Sequence, residues 1–592
     1  MRLHPACVCA AVLAIAGASH AAPNEPPVRP PARPPGVRGD GVTDDRAALQ
    51  AAIDRAAASS GELVLPAGTY LIAAADHQAF GLKIPRGVRL RGADRERTVL
   101  QQAPGTLPSV RLLMLTGEGI QIENLTLDGN KRKQTVNEHR HGIFAQNTDH
   151  LVVKHVTSRN FTGDGFYLYD GANRSTFDDV LATGNDRNGL TLGGSIDGTL
   201  ITHSKFVANK GQQLDSEPGG EHVVSNTKVV DNDLDGAGVS GEYVLTCSGT
   251  AARTPGHGWT VTGNRIHGGV FVVWAEHVTI SDNTFVNPTT KSAVNVYRSS
   301  SDVTITGNKI TQTAPGTAGI TVLGTAASGP QRVLVSKNHI ETTRENSYGV
   351  QASGAQSVVI ADNVLRGAGR PAVGYAGILL RATNPTVDFE SAVVRGNRIS
   401  NFGARAINIM GNRQARLQSV EITGNTFEDD SPVPSMTEGI SLDDGTGAAR
   451  QISVIGNKFV GGVRTEMTNY PANVPVLVGG VRGRGGRYEI AGSPEGNLAE
   501  TDGAVVIRRD RGAGARYFVK RSGAGAKTGW VPSTTAPDGR PEQSDRGGAE
   551  QGDRGGAERS EPPRPPPARP EPAPPREGRS GRDRAPDPPR GR

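Results

Sequence analysis

The 592-residue chain holds 77 Gly and 39 Pro and is only 35% hydrophobic, which suits many turns around a narrow core better than one broad globular core. Its formal charge of +6 is small for this length and spread along the chain, so it makes no case for nucleic acid and at most gives a mild attraction to anionic polymers. Of the 3 Cys, Cys7 and Cys9 lie in the leader described next, which leaves Cys247 alone and excludes an intramolecular disulfide.

Residues Met1 to about Ala22 read as a signal peptide: Arg2 and His4 lead, an Ala/Val/Leu/Ile run follows, and small residues close it at Ser19-His20-Ala21-Ala22. The apolar run is too short to span a bilayer, so the expected location is secreted or periplasmic, with no membrane span. A Pro-rich linker (23–38) comes next. From Gly39 the text GDGVTDDRAALQAAIDRAAASSGELVLPAGTYL predicts a helix capped by Asp44 and Asp45, with Leu49 and Ile53 four apart on its buried face. The helix stops at Ser59-Ser60-Gly61, a strand Leu63-Val64-Leu65 follows, and Pro66-Ala67-Gly68 separates it from a strand starting at Thr69.

From about Ile120 to Val478 one phrase recurs: an alternating apolar strand, a polar turn with Asn, a short apolar step, a Gly-containing loop and a second strand. The turn places Asn264, Asn283, Asn308, Asn338, Asn363, Asn397, Asn425 and Asn457 at equivalent positions, at intervals of about 19 to 34 residues. Such spacing fits coils with a constant core and variable loops. Asn tolerates the left-handed backbone of a tight turn and its amide can bond its equivalent on the next coil, so these residues are read as structural. The second strands read HGIFAQ, DGFYLYD, NGLTLGG, QQLDSEP, GVFVVWA and SAVNVYR in successive coils. Period two sends Ile143, Phe166, Leu190, Leu214, Val270 and Val294 inward and their neighbours outward, in columns about 4.8 Å apart per coil. After the stack (39–480), residues 481–531 read as a small β module. The rest, 532–592, is Pro, Arg, Gly and acid with nothing apolar to bury, which predicts a disordered tail.

Gln213-Leu214-Asp215-Ser216-Glu217-Pro218 carries the strongest chemistry. With Leu214 inward, Asp215 and Glu217 leave the outer face of one strand about 6.5–7 Å apart at Cα. Glycosidic cleavage needs such a pair, one carboxyl to protonate the leaving oxygen and one to attack or activate water, and neighbouring like charge raises one of the two pKa values. Candidate substrate groups flank it: Tyr167, Tyr169 and Asp170 on the preceding strand, Arg187 and the loop residues His139 and His141 on that side, and Glu242, Trp274, Tyr297 and Arg298 on the other. Their aromatic faces and hydroxyls suit sugar rings.

The Gly39–Leu71 segment looks like the N-terminal cap of the pectate-lyase-like superfamily, the right-handed parallel β-helices related to rhamnogalacturonases and mannuronan epimerases. The resemblance implies an all-β, right-handed single-stranded parallel β-helix with an N-terminal capping helix. A closer likeness lies in ENLTLDGNKRKQTVNEHRHGIF and VTSRNFTGDGFYLYD, which are similar to the mannuronan epimerase module. There LDGN is followed by a Gly-Phe strand ending in DPHE, whose Asp and His, with a preceding Tyr, move the proton. Here Asp128 of LDGN carries over as a substrate-site residue, while DPHE is replaced by Tyr167-Leu168-Tyr169-Asp170 and its His is absent. The polygalacturonase pattern Arg-Ile-Lys does not occur.

The reading that follows is an endo-acting glycoside hydrolase of an extended polysaccharide with Asp215 and Glu217 as the acid/base pair. Two alternatives stand beside it: a uronate lyase or epimerase using Tyr167, Tyr169 and Arg187, and a non-catalytic polysaccharide-binding adhesin. No cofactor is expected. Asp429-Asp430 and Asp443-Asp444 offer Ca²⁺-type oxygens without a binding motif and read as exposed turn acids. The sequence leaves the sugar, the linkage and the oligomeric state open.

Overall fold

The computed structural model describes residues 31–533 except for the loop segments 75–78, 106–109, 237–242, 288–290, 345, 370–374, 384–388, 412–416, 443–448, 464, 469–474, 480–485 and 511–514. The leader, the first half of the Pro-rich linker (23–30), the tail beyond Ser533, Glu242 and Asp443-Asp444 therefore lie outside the described residues.

The chain coils into a parallel β-solenoid. The second strands of successive coils form a sheet of 15 strands in chain order, from Phe80–Pro85 to Thr465–Thr468, and the remaining strands make a continuous second sheet. Each strand pairs in parallel with its equivalent one coil away, so Phe166, Leu190 and Leu214 follow one another in register. Ile143, Phe166, Leu190, Leu214, Val270 and Val294 all point into one apolar core that runs from Val37 to Val476. Period-two alternation thus becomes a column of buried side chains on one side of the sheet and a column of outward ones on the other.

The helix Arg46–Ala57 covers the first coil, burying Leu49, Ala52, Ile53 and Ala56 against the strands Glu62–Leu65 and Phe80–Pro85. Its capping differs from the sequence expectation. Asp45 occupies the N-cap but makes no side-chain bond to the helix. Its buried carboxylate turns back to accept the N–H groups of Arg38 (2.6 Å) and Gly39 (2.8 Å), while Asp44 accepts the N–H groups of Arg46 and Ala73. The two acids fasten the incoming chain to the first coil; Asp45 gives up its cap bond to do so, while Asp44 still caps the first helical N–H, that of Arg46.

The asparagine column is a continuous ladder. Asn264 donates from both its N–H and its Nδ2 to Oδ1 of Asn283, each at 2.9 Å, and the same pair of bonds is repeated through Asn308, Asn338, Asn363, Asn397, Asn425 and Asn457. Asn232 extends the ladder by one coil. The left-handed backbone falls one residue earlier than expected, at Gly263, Asp282, Gly307, Lys337, Asp362, Gly396, Gly424 and Gly456. Asn is needed here for its amide, which satisfies backbone groups of two coils at once, and not for its φ.

After the last coil Val476–Gly479 pairs antiparallel with Arg487–Ile490, and Val505–Arg508, Tyr517–Lys520 and Trp530–Ser533 complete a small module. Tyr488, Ile490, Leu498, Val506, Phe518 and Trp530 give it a core of its own.

Asn308→Ala would leave the buried Nδ2 of Asn283 and the Ile280 carbonyl without their ladder partner. Each stranded polar group costs about 1–3 kcal/mol. The expected outcome is a loss of at least about 2 kcal/mol in urea unfolding, and a loss below about 0.5 kcal/mol would show that the ladder contributes little.

Candidate active site

Two outward columns cross the 15-stranded sheet. Phe144, Tyr167, Thr191 and Asp215 are in register in the first, and Gln146, Tyr169, Gly193 and Glu217 in the second. Gly193 is required by packing: a Cβ there would stand 2.6 Å from the Tyr167 hydroxyl, which leans across the missing side chain toward the carboxylates. Phe144, Tyr167 and Tyr169 form one stack of rings, with 5.6 Å between Phe144 and Tyr167 and 6.1 Å between Tyr167 and Tyr169.

Asp215 leaves the outer face as expected but is only 7% exposed. Its Oδ2 accepts a bond from Asn188 Nδ2 at 3.2 Å. Burial first, and then contact with Glu217, push its pKa well above the usual carboxylate range. Adjacent like charge was the sequence argument for such a shift, and desolvation proves the larger cause. Glu217 is fastened to Arg187, whose Nη2 donates to both carboxylate oxygens at 2.5 Å. The two carboxyls of one strand therefore sit in different environments, Asp215 buried and biased toward its proton, Glu217 paired with a guanidinium.

A third carboxylate, missed by the sequence reading, completes the cluster. Asp164 is fully buried and accepts Arg187 Nη1 at 2.7 Å and the Asn188 N–H at 2.8 Å. Burial would depress the Arg187 pKa, but Asp164 and Glu217 outweigh it and raise it. The Asp164 N–H donates to His141 Nδ1 at 3.1 Å. Burial lowers the His141 pKa against the pull of Asp164, whose carboxylate lies 3.2 Å from Nδ1, and so favours the neutral ring. It stacks on Tyr167 at 4.8 Å. His141, Asp164, Asn188 and Gln212 each precede a second strand by two residues, and each of the first three accepts the N–H of the next. The HG, DG and NG pairs before successive strands are the signal that could have found them.

Past the carboxylates a cavity of about 620 Å³ opens, lined by Tyr243, Thr246, Phe271, Trp274, Asn295 and Tyr297 among others. Tyr243 and Phe271 are stacked 5.0 Å apart, Tyr297 continues the run at 6.0 Å, and Arg298 lies over the Trp274 ring at 4.0 Å. Asn295 donates to the Tyr243 hydroxyl, leaving its Oδ1 without a partner. On the opposite flank Arg111 stacks over Phe144 at 4.7 Å with its Nε unbonded. Arg111, Phe144, Tyr243 and Phe271 were not singled out from the sequence.

Other sequence candidates stand apart. Asp128 ends a strand of the other sheet, bonded to Arg159 at 2.8 Å, and lines a separate pocket with Lys131 and Asn160 instead of the groove. Asp170 turns away to accept the Ser195 N–H at 2.8 Å. His139 is exposed at the rim, edge-on to His141. Asp429 is a buried acid, not an exposed one, closing its own loop through Ser431, Ser435 and Met436. Among the described residues no group of three His, Cys, Asp or Glu side chains is placed to hold a metal.

A profile for the right handed beta helix region matches residues 112–327 and 253–459, and one for rhamnogalacturonase A/epimerase, pectate lyase-like, matches residues 32–113. Mannuronan C5-epimerase AlgE4 of Azotobacter vinelandii is 30% identical over 188 residues, which are 30% of this chain and 34% of that protein. Alginate lyase 7 of the same organism is 36% identical over 103 residues, 16% of this chain and 12% of the other. The chain thus spans about a third or less of the length of these relatives. The solved AlgE4 A-module from Azotobacter vinelandii is 20% identical with a TM-score of 0.37, covering 75% of this chain and 98% of the module.

The raised Asp215 pKa has a consequence for stability. The folded chain keeps a proton on Asp215 where the unfolded carboxyl has lost it, so the native state binds more protons and stability falls as pH rises from the ordinary carboxylate value toward the raised one. Asp215→Asn removes that penalty. Its melting temperature should equal or exceed wild type at about pH 8, with the gap closing below about pH 4, where both states are protonated. A variant clearly less stable at about pH 8 would contradict a protonated Asp215.

Proposed function

This chain belongs to the right-handed parallel β-helix family, and on that premise we propose that it is a secreted, endo-acting glycoside hydrolase of an extended polysaccharide. The observation that carries the reading is the opposed pair on one strand: Asp215, buried and biased toward its acid form, beside Glu217, tied to a guanidinium. In the first half-reaction the Asp215 carboxyl gives its proton to the glycosidic oxygen as the bond to the anomeric carbon breaks. Glu217 either attacks that carbon or takes a proton from the water that does. One water is consumed in either route, and Asp215 regains its proton before the next cycle.

The polymer lies across the outward columns. Tyr243, Phe271 and Tyr297 wall one side of the cleavage point, and Phe144, Tyr167 and Tyr169 wall the other. The sheet continues in both directions past the carboxylates, which suits binding within a chain rather than at its end. Arg111 and Arg298, each stacked on an aromatic ring, suit polar or acidic substituents. No cofactor enters the reading.

Elimination or epimerisation on a uronate polymer is the second reading. It is favoured by the names of the curated relatives and by neutral His141 stacked beside Tyr167. Against it, burial and then Glu217 push the Tyr167 pKa up to about 12, which disfavours a tyrosinate base, and Arg187 is already shared by two carboxylates. A groove that only binds would hold polymer without turnover.

Digestion of a polysaccharide panel should release reducing ends without the ultraviolet absorbance of an unsaturated uronate. Asp215→Asn and Glu217→Gln should each lower turnover at least about a hundredfold while leaving the fold intact. Tyr167→Phe should mainly raise KM. Near-wild-type rates in both carboxamide variants would sink the paired-acid mechanism, and loss of turnover in Tyr167→Phe together with the absorbance signal would install elimination in its place.

A further inference from the structure

We propose that Asp164 is a positioning residue that sets both members of the carboxyl pair at once; this rests on the hydrolase reading above. Its two oxygens are divided between them. Oδ2 accepts Arg187 Nη1, and the other arm of that guanidinium holds Glu217. Oδ1 accepts the Asn188 N–H, and the Asn188 side chain donates to Asp215. Asp164 itself is fully buried two coils before the pair, so it cannot touch a polymer in the groove and acts through these neighbours and through its charge.

The arrangement makes Asp164 an electrostatic element as well as a brace. The charged and titratable groups facing Asp215 are Glu217, Arg187 and Asp164, with Tyr167 above; His141 and Arg111 lie behind Asp164 and Tyr167. Among these, the Asp164 charge helps keep the proton on Asp215, and Arg187 opposes it. Without Asp164, Arg187 would be drawn to Glu217 alone. An amide in its place presents an NH₂ toward Arg187 Nη1, a donor facing a donor, so the guanidinium must shift and Glu217 with it.

The two neighbours of Asp215 therefore predict opposite pH effects. In Asp164→Asn the alkaline limb of kcat should move to lower pH, with kcat down at least tenfold and KM changed less than threefold. In Arg187→Gln the limb should move to higher pH. Carbon-13 NMR titration of the Asp215 carboxyl in the same variants should show the same two directions, and it reads the coupling whether or not the reaction is hydrolysis. A purely structural Asp164 would lower activity and melting temperature together and leave the Asp215 titration in place, which overturns the proposal. Should Asp164→Asn not fold, Arg187→Gln still decides: an Asp215 titration that stays or falls in that variant refutes the coupling. If the titrations move as stated but Asp215→Asn remains active, the hydrolase reading fails and the positioning role stands.

Discussion

Parallel pairing of each coil with its equivalent, at one strand spacing, is the constraint on which everything else in this protein depends. It forces like positions into contact, so a residue chosen at one coil is judged against the same position on its neighbours. Apolar residues answer by filling a continuous column, and asparagine answers by closing a ladder in which one amide serves two coils. A coil can gain or lose loop residues freely because only the strand and turn positions enter these columns. The varying intervals between ladder asparagines are the visible result.

The same stacking builds the site. Aromatic side chains at equivalent outward positions of adjacent coils stack on each other, as Phe144 does on Tyr167. They expose ring edges and hydroxyl tips along the groove, a wall suited to the mixed apolar and polar surface of sugars. Where the column needs space, Gly193 provides it, and the Tyr167 hydroxyl occupies it. The carboxyl pair lies between two such walls.

Stacking charges is harder than stacking rings, since each coil adds its desolvation cost to the next. The cluster meets this by pairing: Asp164 and Glu217 share the Arg187 guanidinium, and the buried Asp215 beside them is biased toward its proton. One guanidinium bridges two carboxylates, and the third carboxyl is left to the proton. The bias of Asp215 toward its proton is thus a by-product of how a β-helix accommodates buried charge, and it is a property that a general acid requires.

Much of the fold was legible along the chain because its rules are local. Period two assigned Leu214 inward and Asp215 and Glu217 outward, the recurring turn marked the coils, and Leu49 and Ile53 identified the capping helix. The site was legible only where it lay within one strand. Arg187 meets Glu217 30 residues away, Asp164 meets Arg187 across 23, and Asn188 meets Asp215 across 27, distances set by coil lengths that no local pattern reveals. Asp128 shows the converse, a motif residue that coil geometry turns onto the other sheet. The sequence by itself determined which residues of the recognised strands face out, because alternation is a property of neighbouring residues, but it passed over the coil of Leu245–Ser248 that stacks between those of Leu214 and Val270. Only the tertiary structure decided which outward groups are buried, which are paired and which keeps a proton, because those depend on the charges and solvent that adjacent coils bring or exclude.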